Sequence, residues 1–211
     1  MIPKLHYISQ GSTPEEHLEN IQKACSAGAE LVELHLQKVS EKQHLKLAEE
    51  AREITAHFQT RLLIFNDYKI AKTVKADGVH LAQTYLATKA RIHIYTWQII
   101  GATANTLQDC ETLLSEQVDY IRLAPFRSLE TKENMPTVLG LNGFTAIVEA
   151  LKTDTPIIGA GGITTEDVTA ILATGISGVA VSTEITSNFD SVKLFNQLLK
   201  ASAVDEQRHT F

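Results

Sequence analysis

The sequence has no run of Lys or Arg, and 19 basic against 25 acidic residues in 211 leave a formal net charge of −6. That is not the electrostatic footprint of a nucleic-acid binder or of a protein held on an acidic membrane surface. Nor does any apolar stretch reach the length needed to span a bilayer, and Met1-Ile2-Pro3-Lys4 does not open a basic segment followed by an apolar one. Neither a membrane span nor a leader is expected. Cysteine is scarce: Cys25 and Cys110 each fall inside a helical pattern without metal-ligand or redox spacing, which reads as inert packing and excludes a disulfide scaffold. Linkers and low-complexity segments are missing too. The expectation is a cytoplasmic protein with neither nucleic acid nor membrane as a partner.

What is present suits one core over residues 1–211, with a hydrophobic content of 44%. Short apolar runs alternate with longer amphipathic stretches, the pattern of βαβ units rather than of hairpins. Strands are expected at Leu5–Ile8, Leu31–Leu36, Leu62–Phe65, Gly78–Leu81, Gln98–Ala102, Tyr120–Leu123, Pro156–Ile158 and Gly178–Val181. Thr13-Pro14-Glu15-Glu16 orders a capping hydroxyl, a first-turn proline and two acids, and Ser40-Glu41-Lys42-Gln43 fits a capping box. Gly28 and Gly175 fall where a helix must stop and turn into the next strand. The fold class is therefore α/β, a single (β/α)8 TIM barrel. In such a barrel the loops after the strands build the site, and Arg127–Leu139 is long enough to be a candidate lid.

The chemistry is densest near the end of the chain. Pro156-Ile157-Ile158-Gly159-Ala160-Gly161-Gly162-Ile163 opens onto the helix start Thr164-Thr165-Glu166-Asp167, and Ser177-Gly178-Val179-Ala180-Val181-Ser182 follows about a helix later. Each half is an apolar run ending in small residues whose free backbone N–H groups favour an anion. Gly161, Gly162, Ser182 and Thr183 form a phosphate site, so a phosphorylated small molecule is the expected partner, with Thr183 and Glu184 adding bulk and negative charge beside it.

Motifs in order along nearly the whole chain resemble the thiamine phosphate synthases and their TenI-like thiazole tautomerase relatives. They are Phe65-Asn66-Asp67, Ala76-Asp77-Gly78-Val79-His80-Leu81, Val118-Asp119-Tyr120-Ile121, Thr131-Lys132, Gly161-Gly162-Ile163 and Gly178-Val179-Ala180-Val181. The resemblance implies Mg²⁺-assisted transfer of a hydroxymethylpyrimidine from its diphosphate to a thiazole phosphate, with charge neutralisation of leaving pyrophosphate as the main demand. It carries Asp67 over as a metal ligand and Asn66, Gln37, Thr103, Thr131 and Lys132 as substrate-binding residues. Homodimers are frequent in such barrels, although no interface signature stands in the sequence.

Departures from the family pattern cluster at the barrel mouth. Where the family has Gln-x-Arg-x-Lys, this chain has Glu33-Leu34-His35-Leu36-Gln37, and a tyrosine, Tyr85, replaces a second metal carboxylate. Arg122 and Ala124 stand in the usual Gly-x-Gly-Pro, and the tautomerase base falls at or near Asn105. Strand alternation points Glu33, His35 and Gln37 into the barrel at spacings of about 7 Å. Glu33 facing pyrophosphate with only Lys132 and a singly ligated Mg²⁺ opposite predicts severely impaired transfer. The leading expectation is thus a pocket rewritten by divergence or by deliberate redesign, with Glu33, His35, Tyr85 and Arg122 as its catalytic set. The alternatives are a working but atypical synthase and a noncatalytic phosphate-ligand binder.

Individual residues keep two readings. Glu33 and His35 either abstract a proton together, or Glu33 pairs with Arg122 and His35 is a satisfied core histidine. Asp67 either holds Mg²⁺ or caps the next helix, and Lys132 either reaches a phosphate or is a solvated charge. Tyr85 and Phe65 either wall a planar ligand or pack, whereas Trp97 is expected only to pack. His80 reads as part of its strand.

Overall fold

A computed structural model describes residues 1–82, 87–127 and 137–208. Its strands are β1 (Leu5–Ile8), β2 (Leu31–Leu34), β3 (Arg61–Phe65), β4 (Gly78–Leu81), β5 (Ile99–Ala104), β6 (Tyr120–Leu123), β7 (Ile157–Ala160) and β8 (Gly178–Val181). All pair in parallel and in chain order, and β8 returns to β1 through Leu5↔Val179 and Tyr7↔Val181, so the sheet closes into a (β/α)8 barrel. Five of the strands are buried at every position, as expected when helices cover one face and the barrel interior the other.

The helices are α1 (Pro14–Ser26), α2 (Glu41–His57), α3 (Tyr68–Thr73), α4 (Ala87–Arg91), α5 (Leu107–Ser115), α6 (Gly140–Leu151), α7 (Val168–Leu172), α8 (Thr183–Ser187) and α9 (Ser191–Arg208). Local chemistry sets their starts. Thr13 caps α1 by accepting from the Glu16 amide, with Pro14 in the first turn. Ser40 caps α2 from the Gln43 amide, and the expected return bond from the Gln43 side chain is absent, leaving half a capping box. A complete box opens α5, where Thr106 and Asp109 cap each other reciprocally. Gly28 and Gly175 take left-handed φ of 99° and 90° at the helix-to-strand turns.

Inside the barrel Leu31, Leu63, Tyr120, Ile158, Ala160 and Ala180 form an apolar cluster, while a larger one lies between strands and helices. Gly101 admits the Tyr120 ring, since a methyl group on it would overlap that ring. Four strands depart from the sequence pattern, β3 only by starting one residue earlier at Arg61. β2 ends at Leu34 because the chain leaves the sheet before Lys38, whose φ is 57°. β5 runs on to Ala104, and β7 on to Ala160, because the small residues there still pair, as in Leu123↔Gly159 and Ala160↔Ala180. Trp97 does not pack inside as expected: it is 56% exposed and stacks on Tyr95 with ring centroids 5.7 Å apart.

Candidate active site

At the carboxyl ends of β7 and β8, Gly161 and Gly162 take positive φ of 99° and 69° and turn the chain towards Thr164. A side chain at Gly161 would come within 2.9 Å of the Pro125 Cα, so a close backbone approach as well as the dihedral asks for glycine. With Ile8, Ser182, Thr183 and Arg127 these residues line a cavity of about 400 Å³. Arg127 is held there by Asp167 at 2.6 Å, and Asp167 also accepts from the amide and hydroxyl of Thr164 at 2.8 and 2.9 Å. Glu184 lines the same cavity, as its position in the sequence suggested.

Within the barrel a polar network runs from β6 to β2. Arg122, 4% exposed, places Nη2 2.6 Å from Glu33 Oε2, and the fully buried Glu33 places Oε1 2.8 Å from His35 Nδ1. Burial alone would raise the Glu33 carboxyl, but Arg122 above all, then His80 and His35, hold it below the usual carboxylate range. Next to this pair, His80 on β4 meets the Tyr120 hydroxyl at 2.7 Å through Nδ1 and the Thr103 hydroxyl at 2.9 Å through Nε2. Burial, reinforced by Arg122, keeps His80 well below its ordinary value and therefore neutral. Burial and then Arg122 likewise lower His6 to about 3, and its Nε2–H donates to the Pro3 carbonyl at 3.0 Å. Burial pushes the Tyr120 phenol up.

The network surfaces at His35. Its ring stacks on Phe65 with centroids 3.8 Å apart, its backbone N–H donates to Ser9 Oγ at 3.0 Å, and its Nε2 faces the exposed Gln37 amide nitrogen at 3.0 Å. Ser9 Oγ also meets His17 Nδ1 at 2.9 Å. Ser9, Ser12, His17, His35 and Gln37 line a second cavity of about 400 Å³, which shares Ile8 and Ser182 with the glycine-lined one.

Asn66, at φ 58°, accepts from the Ala82 amide at 2.7 Å and ties the loop after β3 to the loop after β4. Asp67 caps α3 through Oδ1, which accepts from the Ile70 amide at 2.8 Å. Asn105 donates to the Ala124 carbonyl at 2.6 Å. A further cavity, of about 690 Å³, opens at the opposite end of the barrel, beneath the strand starts. Its acids Asp77 and Asp119 are engaged by Arg52 and Arg91 and by the backbone amides of Leu62 and Ile100, an arrangement that serves structure. Among the described residues no cluster of three His, Cys, Asp or Glu suits a metal, and no helix is long and apolar enough to cross a membrane.

The structure thus joins Glu33, His35, Gln37 and Arg122 in one chain of contacts, with Thr103 reached through His80. Gly161, Gly162, Ser182 and Thr183 gather in the adjoining cavity. Tyr85, Thr131, Lys132 and most of the expected lid lie outside the described residues. Ser9, His17 and Arg127 were missed by sequence reasoning. Arg127 carried a readable signal, a lone cation directly after Pro125-Phe126 in the loop that follows β6, whereas nothing local marks Ser9 or His17.

A closed parallel barrel whose last two strands end at a glycine-lined cavity defines the class as a (β/α)8 protein. Residues 5–185 match the family described as thiamine monophosphate synthase, TMP-TENI. The chain belongs to that family. It is 35% identical over 202 residues to the thiamine-phosphate synthase of Flavobacterium johnsoniae, covering 94% of this chain and 95% of that protein. With the thiamine-phosphate synthase of Flavobacterium psychrophilum the identity is 37% over 204 residues, covering 95% and 99%. In fold it resembles thiamine phosphate pyrophosphorylase from Pyrococcus furiosus, with a TM-score of 0.80 and 21% identity over 94% of this chain and 96% of that one.

These relatives overturn the expectation of a pocket that has lost the family's transfer chemistry, and nothing in them points to redesign. The physical error lay in treating Glu33 as a free negative charge facing the substrate. Its two oxygens are spent on Arg122 and His35, so the pair adds no net repulsion to an incoming phosphate. Held ionised below the ordinary carboxylate range, Glu33 is also too weak a base for the proton abstraction considered from sequence.

Proposed function

We propose that this protein is a transferase of the thiamine phosphate synthase type, joining hydroxymethylpyrimidine diphosphate to a thiazole phosphate and releasing pyrophosphate. The observation that carries this reading is the pair of adjoining cavities, each about 400 Å³, that share Ile8 and Ser182. Two phosphorylated reactants need two anion-binding compartments that meet. In this reading Gly161, Gly162, Ser182 and Thr183 hold the thiazole phosphate through backbone and hydroxyl donors, with Arg127 as its counter-charge. The diphosphate lies beside His35, Gln37 and Asn66, and Lys132 with Thr131 supplies further donors.

In the reaction the carbon–oxygen bond to diphosphate breaks, leaving a resonance-stabilised pyrimidine methylene cation. The thiazole nitrogen then closes the new carbon–nitrogen bond with its lone pair. Phe65, stacked on His35, backs the ring that lines the second cavity. Asp67 commits only Oδ1 to its cap and remains partly exposed, which fits Mg²⁺ carried mainly by substrate phosphate and water. When bound there, the ion would neutralise charge on the leaving group. With Tyr85 in place of a second carboxylate, that site rests on one acid.

We further take residues 1–211 to work as one barrel in the cytoplasm, as a homodimer that sedimentation would register at twice the chain mass. The deciding test for function is steady-state formation of thiamine phosphate from the two phosphorylated reactants with Mg²⁺. Turnover that stops on chelation supports the transferase. Binding of thiazole phosphate without turnover refutes it.

A further inference from the structure

Both oxygens of Glu33 are occupied, Oε2 by Arg122 and Oε1 by His35 Nδ1 at 2.8 Å. With Glu33 ionised, Oε1 only accepts, so His35 Nδ1 carries a proton whether the ring is neutral or charged. The ring is also stacked on Phe65, and its own backbone N–H is tied to Ser9 Oγ. That leaves Nε2 as the single exchangeable edge of the imidazole, at the lining of the second cavity and 3.0 Å from the Gln37 amide nitrogen. A neutral ring accepts from that amide. A protonated ring has no lone pair to offer it, and its Nε2–H becomes free for an oxyanion.

We propose that Arg122 is a positioning residue: by holding Glu33 in place across the barrel, it fixes the Nδ1–H tautomer of His35, so that Nε2 accepts from the Gln37 amide and holds that side chain at the lining of the second cavity, where the phosphorylated substrate is read to bind. The proposal rests on the transferase reading above. Around His35 stand Glu33, just inside the end of β2, His17 on α1 across the shared Ser9 Oγ, and His80 on β4 behind Phe65. Remove Glu33 together with Arg122, and the ring loses the acceptor that orients it.

The test uses the full chain and the double variant Glu33→Leu/Arg122→Met, which removes both buried charges so that neither is stranded. Long-range nitrogen–proton NMR of the His35 ring should show the Nδ1–H tautomer in the parent at neutral to alkaline pH and mainly the Nε2–H tautomer in the double variant. In turnover, KM for the pyrimidine diphosphate should rise about tenfold in the double variant and in His35→Phe, the loss of about one hydrogen bond to the substrate compartment. An unchanged tautomer in the double variant, or an unchanged KM in both variants, overturns the proposal. If neither the parent nor a variant forms thiamine phosphate, the transferase reading fails and the substrate half of the proposal with it, while the NMR measurement, repeated on Arg122→Met alone, still decides whether Arg122 sets the tautomer of His35 through Glu33.

Discussion

Replacing Glu33 by Gln removes one charge of the buried pair and leaves the other. Arg122 is 4% exposed and its Nε already has no partner, so water cannot take over from the lost carboxylate. Breaking a buried ion pair from one side costs about 3–5 kcal/mol. For a chain of this size, each kcal/mol moves the melting temperature by about 2–4 °C. Differential scanning calorimetry of Glu33→Gln should therefore show a fall of about 10 °C. The double variant Glu33→Leu/Arg122→Met places apolar side chains in the same space and should melt within a few degrees of the parent or above it, because no charge is left in a dry interior. The order is the diagnostic. A single variant that melts with the parent would mean that Arg122 reaches another acceptor or water, and a double variant less stable than the single one would mean that packing, not charge compensation, dominates the site.

Stability should fall on the acid side in two stages. Burial lowers His6 to about 3 and takes His80 well below its ordinary value, so the unfolded chain binds more protons than the folded one once pH drops below the free histidine value of about 6.5. From there each histidine removes about 1.4 kcal/mol per pH unit until its folded value is reached, and urea midpoints equal at pH 7.5 and pH 5 would refute this. Glu33, lowered in the folded state, adds stability that is complete above the free carboxyl value of about 4.3 and is lost as pH falls below it, so the loss should steepen there and do so less in Glu33→Gln. Asp67→Asn keeps the helix cap and should change stability by less than about 0.5 kcal/mol, while the Mg²⁺ concentration for half-maximal turnover rises at least several-fold; an unchanged Mg²⁺ requirement leaves Asp67 as a cap alone. Gly101→Ala forces a methyl into the Tyr120 ring and should cost about 1–3 kcal/mol by chemical denaturation, with a neutral result showing that the barrel interior relaxes freely.

The barrel was legible in the sequence because parallel strands buried on both faces leave short apolar runs, and the helices between them carry their own starts and stops, as at Thr13-Pro14 and Gly175. Strand ends were less legible: small residues such as Gly159 and Ala160 carry no strand propensity yet still pair with β6 and β8. The glycine-lined turn after β7 could be read because glycine at Gly161 answers a backbone demand visible locally. The pairing of Glu33 with Arg122 could be named from inward parity and opposite charge. Its consequence was misjudged, because what the pair presents to a substrate depends on where the second carboxylate oxygen goes, and that oxygen goes to His35. Ser9 and His17 were invisible for a similar reason: the loop after β1 meets the end of β2 only once the barrel has closed.

The two charges of the interior pair lie 89 residues apart in the chain, Glu33 in the first half of the barrel and Arg122 in the second. A half barrel of β1 to β4 would carry a bare carboxylate on the face it must bury, and β5 to β8 a bare guanidinium. Neither half can dry its own interior, yet each presents the other with an opposite charge at the place where they join. Split between β4 and β5, the two pieces would meet through this buried attraction together with the β4–β5 and β8–β1 pairings and the His80 contacts to Tyr120 and Thr103, and the opposite charges would help to set their register.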